Sequence, residues 1–297
     1  MKKLIPVLFL SLLFVPNALA DSRAEEVLKQ AREAIGGERL QKLEGLHING
    51  QYRRVLGDRQ MAGDREISIL LPNKYLVEDA MSMGGMITSI INTRGLNGER
   101  AWSGSSGGGN MIIRFGSGPG GAQLTPEQME AAQRRMYQAE FSRYLLAMIL
   151  TPSFPVEYKY AGESDVEDAP ADVVDVTGPD KFSARIFFDK KTHLPLLLSY
   201  RGPKPRTITM TREGGGPRSP EDIKKARDEA EKKMQAEGPA VPEEVDFYIR
   251  LTDHKKVDGL MLPHKLTFLT ETEVSEEFEI SKYQVNPQFK ADKFEKR

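Results

Sequence analysis

Val27, Leu28, Ala31, Ala34 and Ile35 recur at helical spacing on one face, and Gly36-Gly37 stops the run. Ser22 with Glu25 three residues on reads as a capping box at the start of this segment. The pattern predicts an amphipathic helix that needs a surface to lie on. From Leu46 to Phe115 the period changes. Short apolar runs at 47–55, 65–71, 74–79, 86–93 and 111–115 are separated by Gly57-Asp58, Pro72-Asn73, Gly84-Gly85 and Asn97-Gly98. Strands of that length with those turn signals predict an antiparallel meander.

Helical spacing returns after a Gly/Ser-rich loop. Thr125-Pro126-Glu127-Gln128 places Thr at N-cap, Pro at N1 and Gln at N3. Met129, Ala132, Met136 and Ala139 share one face. After Glu140 the stripe changes phase to Phe141, Tyr144, Leu145 and Met148. The shift predicts two helical segments with a bend, ending at Thr151-Pro152. Strand patterns resume at 156–160, 173–177, 182–189 and 196–200, with a hairpin loop over 189–195, and again at 245–254, 260–272 and 275–285. Between them, Ser219-Pro220 opens a highly charged helical pattern with a thin apolar stripe, flanked by Gly214-Gly215-Gly216 and Pro239. That helix is expected to be solvent-exposed, in an insertion at about 212–241. No repeat of roughly 20–50 residues is visible. The remainder, 21–297, reads as a single domain.

The first residues read as an address. Lys2-Lys3 precedes an apolar stretch at 4–15, Pro16-Asn17 breaks it, and Ala18-Leu19-Ala20 fits a cleavage site. A bacterial signal peptide cleaved after Ala20 is expected, releasing a periplasmic protein, and the apolar stretch is too short to span a bilayer. No cysteine exists in the chain, which rules out a lipoprotein anchor, disulfides, thiolate catalysis and cysteine-ligated metals. Loss of Lys2 and Lys3 leaves 40 bases against 43 acids. A balance so close to neutral argues against a nucleic-acid binder.

Two motifs match catalytic patterns by composition alone. Gly116 to Gly121 fits G-x-G-x-x-G, yet the helix cap comes later, at Thr125, and Pro119 removes an N–H donor, so no dinucleotide site is expected. Gly104 to Gly108 fits G-x-S-x-G but lies in Ser-Gly repeats without the strand-to-helix turn of a nucleophile elbow. His47, His193, His254 and His264 show no metal-binding spacing. Glu271, Glu273, Glu276, Glu277 and Glu279 read as a charged strand face or edge. No catalytic residue, metal or cofactor is expected.

The order of elements resembles the LolA-like family of periplasmic outer-membrane lipoprotein-sorting carriers. Leu71-Pro72-Asn73-Lys74-Tyr75 resembles that family's RPN-plus-aromatic segment, and Asn97-Gly98-Glu99-Arg100-Ala101-Trp102 its DG-x-x-x-W hairpin. The segments from Arg185 to Pro195, from Val257 to Pro263 and from Tyr283 to Pro287 resemble later strands of the family and its broader relatives. The resemblance implies a mainly β fold: a strongly curved antiparallel sheet forming an open half-barrel, its concave face covered by helices. It also implies an apolar cavity that receives lipid or lipoprotein acyl chains, with transient membrane contact and no enzyme activity. Leu71, Tyr75, Trp102 and Phe188 are the expected cavity lining, and Met129, Met136, Phe141 and Leu145 the expected lid. Two departures stand out. Leu71 replaces a family arginine that hydrogen-bonds the lid, and the 212–241 insertion has no counterpart in the compact carriers. The alternative is an RseB-like regulatory module, with an envelope protein partner bound through that insertion.

Overall fold

The computed structural model describes residues 18–56, 59–83, 90–106, 125–204 and 243–296. Twelve strands form one antiparallel sheet. From one edge inward, β5 (Arg100–Ser106), β4 (Ile90–Asn97), β3 (Lys74–Met83), β2 (Arg59–Leu70) and β1 (Gly45–Leu56) make the first meander. The second runs inward from the other edge: β6 (Glu157–Val166), β7 (Ala169–Thr177), β8 (Ser183–Asp189), β9 (Pro195–Pro203), β10 (Glu244–Val257), β11 (Leu260–Thr270) and β12 (Glu273–Val285). The meanders join where β1 pairs with β12, with Leu46 opposite Val285 and Arg54 opposite Glu276. β5 and β6 do not pair, so the sheet is an open half-barrel, as the family resemblance implies.

Tight turns account for the short connections. Gly98 follows β4 with φ 61° and starts a two-residue hairpin into β5. Asp258-Gly259, at φ 48° and 90°, takes the doubly left-handed form between β10 and β11. The expected strand at 111–115, the start of that at 86–93, the turns at Gly57-Asp58 and Gly84-Gly85, the Gly116 to Gly121 motif and the 212–241 insertion lie outside the described residues.

α1 spans Ala18–Ile35 and α2 Glu38–Gln41. Ser22 is therefore inside α1, which already begins at Ala18, so the helix starts before the expected cap position. Of the expected apolar stripe, Val27, Leu28, Ala31 and Ile35 are buried and Ala34 is half-buried, and Ala24 joins the buried face. Burial of each large side chain there contributes about 1.5–3 kcal/mol. Arg23 fixes the helix at its start by reaching Asp172 of β7, which also accepts from the Tyr160 hydroxyl at 2.8 Å.

α3 spans Pro126–Ala147 with Thr125 as N-cap, and Thr125 and Gln128 form the reciprocal capping box the sequence predicts. The predicted bend is absent: α3 is one unbroken helix. The phase shift instead marks where the helix passes onto the sheet. Met129 and Met136 are exposed, while Tyr137, Phe141, Ser142 and 144–150 are buried. The helix also stops before Thr151-Pro152. Leu150 N–H bonds the Leu145 carbonyl and Ile149 N–H the Leu146 carbonyl, a Schellman cap with Ile149 in the left-handed region at φ 56°. A buried β-branched residue in that conformation carries local strain.

Alternation along the strands separates two faces. Tyr75, Val77, Asp79 and Met81 of β3, with Arg65, Ile67 and Ile69 of β2, face the helices and join the main core. Leu76 faces the opposite side, where it packs with Trp102 and Phe294 in a second, smaller core. The chain after β12 lies over that opposite face. Trp102 Nε1 donates to the Phe294 carbonyl at 3.3 Å, and Lys293 pairs with Glu78 at 2.7 Å.

Candidate functional site

The helix-covered face is apolar with one charged band across it. Ile48 and Tyr52 of β1, Phe278 and Ile280 of β12, and Leu262 and Leu266 of β11 are all buried in the main core. Over them lies the second half of α3. Phe141 stacks on Tyr75 with ring centroids 5.1 Å apart, and Tyr144 meets Tyr75 at 5.8 Å and Phe268 at 6.4 Å. Between helix and sheet a crevice of about 20 Å³ remains, lined in part by Tyr144, Ala147, Met148, Leu251 and Phe278. That is room for about one water. Anything larger enters only if α3 or its side chains move.

The charged band holds α3 in place. Arg65 Nε and Nη2 donate to the two oxygens of Asp79 at 2.6 and 2.9 Å. Arg94 Nη1 donates to Asp79 Oδ2 at 2.9 Å, and its Nη2 and Nε reach Glu140 Oε1 at 2.8 and 3.0 Å. The Tyr75 hydroxyl donates to the same Glu140 oxygen at 3.0 Å. Glu276 extends the band 3.7 Å from Arg65 and meets Arg54 at 3.5 Å. The charges alternate in sign from β12 through β2, β3 and β4 to the helix. Arg65 is 2% exposed, and its guanidinium lies 3.4 Å from the Tyr52 ring centroid. Such a cation is tolerable only because its donors are matched and an aromatic face covers it. Burial pushes the Asp79 carboxyl upward, but Arg65 and then Arg94 outweigh it and hold it below the ordinary value. Burial, with Glu140 nearby, raises Tyr75 well above the ordinary phenol range, so its hydroxyl remains a donor.

The band was not legible as a site in the sequence. Arg65, Asp79 and Arg94 each fall at an inward position of an alternating strand, where an apolar residue is the rule. That break in alternation is the signal that finds them. The Leu71 side chain has no donor where the resemblance places an arginine, yet the helix is tied down polarly from β3 and β4, through Glu140.

The expected lining residues separate. Tyr75 is buried beneath α3, Phe188 is buried in the same core on β8, and Leu71 packs partly buried against it. Trp102 is on the opposite face: it pairs with Gly95, one residue beyond the Tyr75–Leu96–Ala101 row, and belongs to the core with Leu76 and Phe294. A Cβ at Gly95 would lie 2.5 Å from the Trp102 ring, so only glycine admits the indole there. Among the expected lid residues, Phe141 and Leu145 are buried against the sheet, and Met129 and Met136 point away.

The remaining chemical candidates take structural places. Glu271, Glu276, Glu277 and Glu279 pair with Lys204, Arg54, Arg53 and Lys265. His47 contacts the Ser68 hydroxyl at 3.1 Å, His193 sits in the β8–β9 loop at φ 58°, and His264 meets the Tyr283 ring edge-on. Burial lowers His254 to about 4. Among the described residues, no group of three or more metal-ligating side chains comes together.

No protein-family model and no curated protein matches the chain. Solved structures do. A LolA superfamily protein from Nitrosomonas europaea is similar at 9% identity and a TM-score of 0.43, over 92% of this chain and 97% of that one. A DUF1329 family protein from Desulfovibrio piger is similar at 10% identity and 0.41, over 92% and 97%. A lipoprotein-sorting protein domain from Vibrio parahaemolyticus, described as putative in its own name, is similar at 8% and 0.41, over 93% and 97%. At these scores the likeness adds nothing to the geometry above, on which the functional reading rests.

Proposed function

We propose that the protein is a periplasmic carrier that shelters the acyl chain of a lipid or lipoprotein between α3 and the sheet. The observation that carries this reading is the join of α3 to the sheet. A half-helix of aromatic and apolar side chains covers an apolar face, and a single carboxylate, Glu140, ties it down. A lid needs a tie that can be broken, and a partly exposed ion pair is one. Transfer of an acyl chain to that face gains about 0.8 kcal/mol per CH₂. A chain of ordinary length therefore supplies enough to displace Tyr144 and Met148 and to break one partly buried ion pair.

The charged groups argue for binding rather than catalysis. Arg65, Asp79, Arg94 and Glu140 neutralise one another, and each is committed to hydrogen bonds. None is left as a free acid, base or nucleophile at the apolar face. In this reading Tyr75, Phe188 and Leu71 line the acyl site, Phe141 and Leu145 are the working part of the lid, and Met129 and Met136 lie on its outer face.

Native mass spectrometry of protein purified from its own host tests the reading. A co-purifying lipid or acylated species supports the carrier. A stoichiometric protein with no lipid replaces it by the regulatory module.

A further inference from the structure

Arginines in the described part of the chain mostly face carboxylates. Arg23 meets Asp172, Arg65 meets Asp79, Arg94 meets Asp79 and Glu140, Arg185 meets Asp175, and Arg250 meets Glu167. Arg143 of α3 differs. Its guanidinium carbon lies 3.6 Å from the Tyr200 ring centroid and 5.6 Å from that of Phe182. Both rings are backed by others: Tyr200 stacks on Phe247 at 5.1 Å, and Phe182 meets Phe154 edge-on at 5.0 Å. Arg143 forms no ion pair among the described residues, and its buried Nε has no hydrogen-bond partner. Glu140, one turn away, is already taken by Arg94 and Tyr75.

An aromatic cradle orients a guanidinium but offers its N–H donors nothing in their plane. Burial pushes Arg143 below the ordinary arginine value, with only a partial offset from Tyr200 and Glu140. What completes such a group is an anionic oxygen that accepts from the guanidinium. The neighbouring residue, Tyr144, together with Met148, lines the apolar crevice. Phe182 and Tyr200 pack in the same core as Tyr144 and Met148, so a cation with an unpaired donor and the crevice share one apolar interior under α3.

We propose that Arg143, held by Tyr200 and Phe182, is the headgroup site of the carrier and receives the carboxylate or phosphate of an anionic amphiphile whose chain runs under α3. This rests on the carrier reading and narrows its ligand to a negatively charged one. Neutral amphiphiles of equal chain length gain only the apolar part.

The test uses delipidated mature protein and three probes with one chain: hexadecanoate, hexadecyl phosphate and hexadecanol. Each competes with a fluorescent acyl probe below its aggregation concentration. Wild type is expected to bind an anion about tenfold more tightly than the alcohol, the effect of one charge-assisted pair. The better of the two anions distinguishes a fatty-acid source from a phospholipid one. Arg143→Gln should remove the preference and leave hexadecanol affinity unchanged. Arg143→Lys keeps the charge and should retain part of the preference, and it serves if the glutamine variant does not fold. Equal binding of all three probes by wild type, or a preference that survives in Arg143→Gln, overturns the headgroup site and leaves the carrier standing. Failure of every probe overturns both.

Discussion

Glu140 of α3 accepts from Arg94 of β4 at 2.8 and 3.0 Å, and among the described residues this is the ion pair between the buried half of the helix and the sheet beneath it. Arg94 is itself anchored by Asp79, so the tie is rigid on the sheet side. The two side chains are 28% and 21% exposed, so the pair is neither fully desolvated nor freely screened.

Asp79 is the keystone of the band, because it faces two arginines at once. Asp79→Ala leaves Arg65 buried with Glu276 at 3.7 Å as its nearest remaining acid. A loss of about 3–5 kcal/mol in urea unfolding is expected, as for other buried charges deprived of a partner. Arg65→Met combined with Asp79→Leu should cost far less than the single change.

Acid should act through the same carboxylate. Its folded value lies below the ordinary 3.8, so its contribution is complete above that pH and is lost as pH falls below it. His254 acts earlier. It titrates at about 4 in the folded chain against 6.5 when free, burial being the main cause, with Asp253 opposing and His264 reinforcing the shift. The unfolded chain therefore binds a proton first, and stability should fall from pH 6.5 toward 4, by roughly 1–2 kcal/mol once partial exposure is discounted. His254→Gln should flatten that part of the pH–stability curve.

Trp102 is the sole tryptophan, and its site is on the face away from α3. Phe294→Ala should red-shift its emission and cost about 3–5 kcal/mol. Acyl-probe binding should leave the emission of wild type unchanged. A large shift on binding would place the ligand on the opposite face from the one argued for.

Export makes a further prediction. Cleavage after Ala20 would make Asp21 the first residue of the mature chain. N-terminal sequencing of the exported protein should return Asp21. A start at Met1 would remove the periplasmic assignment.

The sequence made the sheet legible because β strands with one buried face alternate, and turns such as Pro72-Asn73 and Asn97-Gly98 punctuate them. The helix cap at Thr125 was legible because its chemistry is local. What escaped was long-range. The phase change at Glu140 reads as a bend, yet the same pattern arises when a straight helix leaves solvent and crosses a sheet. Trp102 and Tyr75 are both aromatic on neighbouring hairpins, and only the register, with Gly95 opposite Trp102, puts them on different faces. The band of Arg65, Asp79, Arg94 and Glu140 spans three strands and a helix, so no spacing along the chain announces it.

Titration of delipidated mature protein with a fluorescent acyl probe, beside Glu140→Gln, tests the central claim most directly. If α3 is a lid tied down by Glu140, wild type binds the probe saturably. Weakening the tie raises the open fraction and tightens apparent affinity, by up to about tenfold for a pair of this burial. Urea unfolding of the unliganded variant should show a loss of similar size. Saturable binding with no change in the variant would contradict the latch, and no binding to either protein would contradict the carrier itself.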